Sequence, residues 1–208
     1  QYETPIFEDE CYADIVWAGR APQSLYSMAP DQVIHIGSFS KTLAPALRLG
    51  YLIAPWQALG QIVALKQDGG TGALDQMVAA EFLSEHFDSH VAKLTVMLKR
   101  KLDVLLEAIE REFGTAVHVD APEGGLFAWV RFPDHVDVRQ LSAPATAAGV
   151  AFNPGTGWAV RPEDGVNNIR LCFGLVNEAE INEGIAELAR VSFETLGLPE
   201  RSANRNRG

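Results

Sequence analysis

The fold turns on the stretch Val33-Ile34-His35-Ile36-Gly37-Ser38-Phe39-Ser40-Lys41-Thr42-Leu43-Ala44-Pro45-Ala46-Leu47-Arg48-Leu49-Gly50-Tyr51-Leu52-Ile53. It opens with a short apolar run of the length and composition of a buried strand. It closes with another, Gly50-Tyr51-Leu52-Ile53-Ala54. Upstream, Ile6-Phe7-Glu8 reads as a third. Polar or Gly/Pro-rich residues follow each run in place of a tight hairpin turn. That is the pattern of an α/β sheet, whose ligands gather at the carboxyl ends of the strands.

The loop between the quoted strands is chemically loaded. Ser38, Ser40, Lys41 and Arg48 fall within eleven residues, directly after a strand. Two hydroxyls and a guanidinium fork suit a dianionic phosphate. Lys41, set among apolar neighbours, suits imine formation with an aldehyde. Taken singly, either cation is equally at home as a solvated surface residue. Glu8-Asp9-Glu10-Cys11-Tyr12 puts an acid just past a strand with a phenol three residues on. Asp9 and Tyr12 can then face one crevice, although such a pair alone is more often a turn cap beside a half-buried Tyr.

Further along, the period changes. Val91, Leu94, Leu98, Leu102, Leu105, Ile109 and Phe113 recur every three or four residues, with charged residues between them. This predicts a long amphipathic helix from about Leu74 to Glu112, broken or bent near Phe87-Asp88-Ser89 and stopped by Gly114. A smaller α+β unit follows. Its strands are expected at Val117–Val119, Leu126–Phe132, Val150–Phe152 and Ile169–Phe173, and its helices at Val138–Ala148, across Pro144, and Glu178–Leu196. The domain reading is a large α/β part over 1–88, a connecting helix over 89–113, a small C-terminal domain over 114–200 and a frayed tail over 201–208.

Composition narrows the function classes. The 208 residues carry 17 Lys plus Arg against 27 Asp plus Glu, a net charge of −10. Net negative charge argues against non-specific binding to nucleic acid or acidic lipid. At 47% hydrophobic the chain has ample apolar surface to bury, so disorder is excluded. Two distant cysteines make no disulfide framework and fit a reducing compartment, with the cytoplasm as the expectation. The longest uncharged runs are too broken by Pro, Gly and polar residues to span a bilayer. His35 is expected to pack inside its strand, and the five histidines form no metal-ligand constellation. Cys11 has no activating base beside it and reads as a packed thiol.

In combination, Asp9-x-x-Tyr12 and Ser38-x-Ser40-Lys41-x₆-Arg48 resemble, in order and separation, the signatures of the class I/II, fold-type I aminotransferases that use pyridoxal 5′-phosphate. The fold this implies is part of that family's large domain, a mostly parallel sheet, followed by a smaller α+β domain. By that resemblance Lys41 is the imine-forming lysine and proton carrier. Asp9 pairs with the pyridine nitrogen, Tyr12 with the 3-oxygen, and Ser38, Ser40 and Arg48 with the phosphate. Pro122-Glu123-Gly124-Gly125-Leu126-Phe127-Ala128-Trp129 resembles the family's PxGGxFxW strand, and Gly149-Val150-Ala151-Phe152-Asn153-Pro154-Gly155 its GVxxxPG segment. Arg170, in Asn168-Ile169-Arg170-Leu171-Cys172-Phe173, resembles the arginine that clamps the substrate carboxylate; a structural ion pair, with Glu123 for example, is the alternative.

Within the family the tracts most resemble the 2-aminoadipate and multi-substrate aminotransferases. They also resemble the cofactor-binding module of MocR-type transcriptional regulators, which is the rival reading. The resemblance covers only the second half of the family fold, so the chain is expected to be a fragment that turns over poorly alone. It implies amino-acid and 2-oxo-acid substrates and a homodimer. Aromatic, branched-chain and 2-aminoadipate donors all stay open.

Overall fold

A computed structural model describes residues 4–18 and 21–199; the tail expected over 201–208 lies outside the described residues. The chain divides into two compact units. One runs to Val96 and takes in Glu123–Gly125; the other comprises Met97–Pro122 and the chain from Leu126 on.

The first unit is built on three strands, β1 (Ile6–Asp9), β2 (Val33–Ser38) and β3 (Gly50–Ile53), in the order β1-β2-β3. β1 and β2 are parallel with Asp9 opposite Ile36, and β2 and β3 are antiparallel with Ser38 opposite Gly50. The sheet in this chain is therefore mixed. A short helix α1 (Leu25–Met28) joins the parallel pair. Glu8, buried on β1, accepts hydrogen bonds from the Leu25 and Tyr26 amides at its amino end, and from His35 Nδ1 at 3.1 Å. Burial raises the Glu8 carboxyl, but those amides and the His35 ring outweigh it and hold the group below its ordinary range. His35 thus packs within its strand. Gly37 leaves room for the Tyr51 ring: a Cβ there would lie 2.1 Å from Cζ of Tyr51, its partner on β3, and the ring would have to shift. The uncharged run after β3 turns helical beyond Pro55 as α2 (Trp56–Leu65). Glu123–Gly125 joins this unit through the Ile15 carbonyl, which accepts from Gly125 N–H at 2.8 Å, and a bridge between Val16 and Gly124.

The long helix α3 spans Ala73–Phe113 without interruption, so the break expected near Phe87-Asp88-Ser89 is absent. Asp88 and Ser89 are weak helix formers, not breakers, and the Ser89 hydroxyl is satisfied inside the helix by the His86 carbonyl at 3.0 Å.

In the second unit, β4 (His118–Val119), β5 (Phe127–Arg131), β6 (Asn153–Pro154) and β7 (Asn168–Cys172) form an antiparallel sheet in the order β4-β5-β7-β6. Leu98, Leu102, Leu105 and Ile109 of α3 are buried there with Val130, Ile169 and Leu188. Phe113 meets Phe132 edge-on at 5.9 Å. Two further helices, α4 (Arg139–Ala147) and α5 (Glu178–Leu196), complete it. α5 opens with a reciprocal capping box between Asn177 and Glu180 and closes on Gly197 at φ 74°.

The strand expected at Val150–Phe152 is corrected to Asn153–Pro154. Gly149 adopts φ 83° after α4, and the Val150 N–H turns back to the Ala145 carbonyl at 2.8 Å. Val150 is thus committed to capping the helix, and pairing with β7 begins only at Asn153.

Candidate functional site

Parallel pairing of β1 and β2 brings Asp9 and Ser38 to the same, carboxyl, edge of the first unit's sheet. The Lys41 loop is closed on itself there. Phe39 N–H donates to the Leu49 carbonyl at 3.1 Å, and the Phe39 carbonyl accepts from Leu43 at 2.8 Å and Ala44 at 3.1 Å. Lys41 therefore sits in a fixed turn with its backbone spanned from both sides. Its side chain is half-buried and forms no hydrogen bond or ion pair among the described residues. Ser38 Oγ accepts from Ser40 N–H at 3.2 Å, which draws the two serines into one turn.

Arg48 follows a short 3-10 turn and holds φ 52°, the only non-glycine residue at positive φ among those described. That strained backbone costs of order 1 kcal/mol or more. It leaves the guanidinium exposed, held by the Pro45 carbonyl at 3.1 Å and with no carboxylate partner among the described residues.

Asp9 Oδ1 accepts from the Cys11 amide at 3.2 Å. The Cys11 thiol and amide together hold the Asp9 carboxyl below its ordinary range. Reciprocally, the bond to Asp9, then burial, push the Cys11 thiol up to about 11, while the nearby Lys41 charge works against that rise. A thiol held protonated fits the packed, unreactive Cys11 read from sequence. Tyr12 lies at the same edge, one turn on, with its carbonyl accepting from Ile15.

Arg170 belongs to the second unit. It stands on β7 with Asn153 opposite on β6 and Trp129 opposite on β5. Its guanidinium carbon lies over two rings, 4.0 Å from the centroid of Phe127 and 3.2 Å from that of Trp158. Nη2 reaches Asn153 Oδ1 at 3.4 Å, and Nε is buried with no partner. No carboxylate of the second unit pairs with it among the described residues. Trp158 and Asn153 were not singled out from sequence; the signal available was only an aromatic and an amide on either side of Pro154-Gly155.

Glu8, Glu10 and His35 are the one group among the described residues with metal-like spacing. Both Glu8 oxygens are already taken by amides and by His35.

The model of the aminotransferase class I and II family matches residues 1–188. The chain belongs to that family. Among curated relatives, the aromatic-amino-acid aminotransferase 1 of Thermococcus litoralis is 32% identical over 200 residues, 94% of this chain and 48% of the relative. The HTH-type transcriptional regulator NorG of Staphylococcus aureus is 31% identical over 192 residues, 90% of this chain and 42% of the relative. Among solved structures, the α-aminoadipate aminotransferase LysN of Thermus thermophilus, complexed with N-(5′-phosphopyridoxyl)-L-leucine, superposes with a TM-score of 0.86 at 30% identity. The superposition covers 93% of this chain and 51% of that one. The chain spans about half the length of the curated relatives it matches. Among the described residues no helix is long and apolar enough to cross a membrane.

Proposed function

We propose that this chain carries the lysine-bearing half of a pyridoxal 5′-phosphate-dependent aminotransferase. One observation carries the reading: Lys41, unpaired and half-buried, is held in a closed turn at the sheet edge that also bears Asp9. The donor set fits the cofactor, with an ionised carboxylate, two hydroxyls, and a guanidinium and an amine that have no carboxylate partner among the described residues, all within the first unit. When bound, pyridoxal phosphate supplies an aldehyde that condenses with amines and a cationic ring that withdraws electrons from an amino acid's α-carbon.

The residues divide that work by their chemistry. Asp9, kept ionised by Cys11, presents an acceptor to a protonated ring nitrogen. Tyr12 presents a hydroxyl to the ring oxygen. Ser38, Ser40 and Arg48 offer two hydroxyls and a planar cation to the phosphate. Lys41 is the amine for the aldehyde and the group that carries the α-proton. Arg170 offers a planar cation to the carboxylate of an amino acid or 2-oxo acid. In the same reading the working protein is a cytoplasmic homodimer, and these residues contact neither membrane nor nucleic acid; the two free cysteines support the compartment and the net charge of −10 the lack of nucleic-acid contact.

The test is intact mass after incubation with pyridoxal phosphate and reduction with borohydride, beside Lys41→Ala. One cofactor adduct on the parent chain that is absent from the variant is expected; an equal adduct on both would refute the role of Lys41. A second reading, the sensor module of a MocR-type regulator, is favoured by the similarity to NorG. Both readings keep Lys41. Amino transfer to a 2-oxo acid by the longer polypeptide supports the enzyme, and specific DNA binding without transfer supports the regulator.

A further inference from the structure

Arg170 is held more tightly than a carboxylate-seeking cation on an open strand needs to be. Phe127 reaches it diagonally across the β5–β7 pair, from the same sheet face as Trp129, its direct neighbour. Trp158 arrives by a separate device. Gly155 and Gly165 approach so closely that a Cβ on Gly155 would lie 2.6 Å from the Gly165 carbonyl oxygen and 2.7 Å from Asn168 Cβ. The 3-10 turn that starts at this crossing ends with Trp158 N–H donating to the Gly155 carbonyl at 2.9 Å. The indole's position is thereby tied to the backbone of β7 through Asn168.

With two rings against it, the guanidinium meets a ligand through the N–H groups that they leave open. Nη2 makes one long bond to Asn153, and Nε is buried without a partner among the described residues. Nη1 forms no hydrogen bond among the described residues, so a carboxylate can approach in the guanidinium plane at Nη1 and Nη2. Asn153, Phe127, Trp158 and Arg170 all belong to the second unit.

We infer that Trp158 is a positioning residue: with Phe127 it holds Arg170 flat and in place, so that a carboxylate site is assembled within the second unit before any cofactor is bound. The inference rests on the reading of Arg170 as the carboxylate-binding residue. An unstacked arginine would have to be ordered by each incoming carboxylate; here the rings have already ordered it.

The test uses the whole 208-residue chain without cofactor. Isovalerate, a monocarboxylate with neither amino nor oxo group, is titrated by calorimetry and by the Nε–H resonance of Arg170, which is assigned by its loss in Arg170→Lys. Saturable binding that shifts this resonance is expected, with no response to methyl isovalerate. Trp158→Ala should bind about tenfold more weakly and Trp158→Phe within about threefold of the parent, since any aromatic face restores the stack. Trp158 is 55% exposed, so the unfolding midpoint of either variant should stay near that of the parent. Unchanged affinity in Trp158→Ala, with binding lost in Arg170→Lys, overturns the role of Trp158 and leaves that of Arg170 standing. Unchanged affinity in Arg170→Lys overturns both. No saturable binding by the parent chain overturns preassembly.

Discussion

Asp9 and Cys11 show how two residues tune each other at a sheet edge. Cys11 donates its amide, and its thiol, toward Asp9, so the carboxyl titrates low and the thiol high. In a Cys172→Ser background, the pH dependence of Cys11 alkylation should show a midpoint near 11, and Asp9→Asn should bring it down toward the ordinary value of 9.0. No movement of the midpoint would detach the thiol from Asp9. Glu8 provides a second titration. Its carboxyl is depressed in the folded chain, so the stability it adds is fully present above its ordinary value of 4.5 and is lost as pH falls through the lower, folded value. Glu8→Gln should therefore flatten acid unfolding below about pH 4.5, read by circular dichroism. The Lys41 loop was legible in sequence because its residue types crowd into one short stretch. The Glu8–His35 pair was not, because 27 residues separate the partners and only the parallel register sets them opposite one another.

At the level of elements, end signals decided more than periodicity did. The apolar recurrence through Leu98, Leu102 and Leu105 was enough to read α3, since those residues are buried in the structure. The segment after α4 was harder. Val150 has the β-branched character of a strand residue, yet Gly149 at positive φ diverts it into a helix cap, and local propensity carries no trace of that longer bond. The α5 cap was open to reading, because an Asn three residues before a Glu ahead of an apolar face is a start signal. Asn177→Ala should cost about 1 kcal/mol, seen as a lower unfolding midpoint, and Asn177→Asp should restore most of it. The glycine crossing makes a sharper claim. Gly165→Ala places a methyl carbon 2.4 Å from the Gly155 carbonyl, against backbone that cannot rotate aside. It should destabilise the second unit, read as a lower unfolding midpoint, and also weaken isovalerate binding.

For the molecule as a whole, the first unit leaves much apolar surface in water. Trp56 is 84% exposed and Leu65 79%, and Leu74 and Met77 at the start of α3 are comparably open. Exposed apolar side chains of this size bind hydrophobic dyes. The chain should enhance anilinonaphthalene sulfonate fluorescence at neutral pH, and the triple change Trp56→Gln, Leu65→Gln and Met77→Gln should remove most of it. An unchanged signal would locate the sticky surface elsewhere. The β1 and β3 edges, unpaired among the described residues, add to this openness. Dividing the chain is harder than its two units suggest. Val96 and Met97, where the units part, are consecutive residues inside α3, and the Glu123–Gly125 segment returns to the first unit after the chain has entered the second. A protease hunting for a hinge finds helical backbone there. A gene cut at that codon would hand each product a severed helix and leave the first product without the Glu123–Gly125 segment that belongs to it, so recombination could not easily trade either half for another.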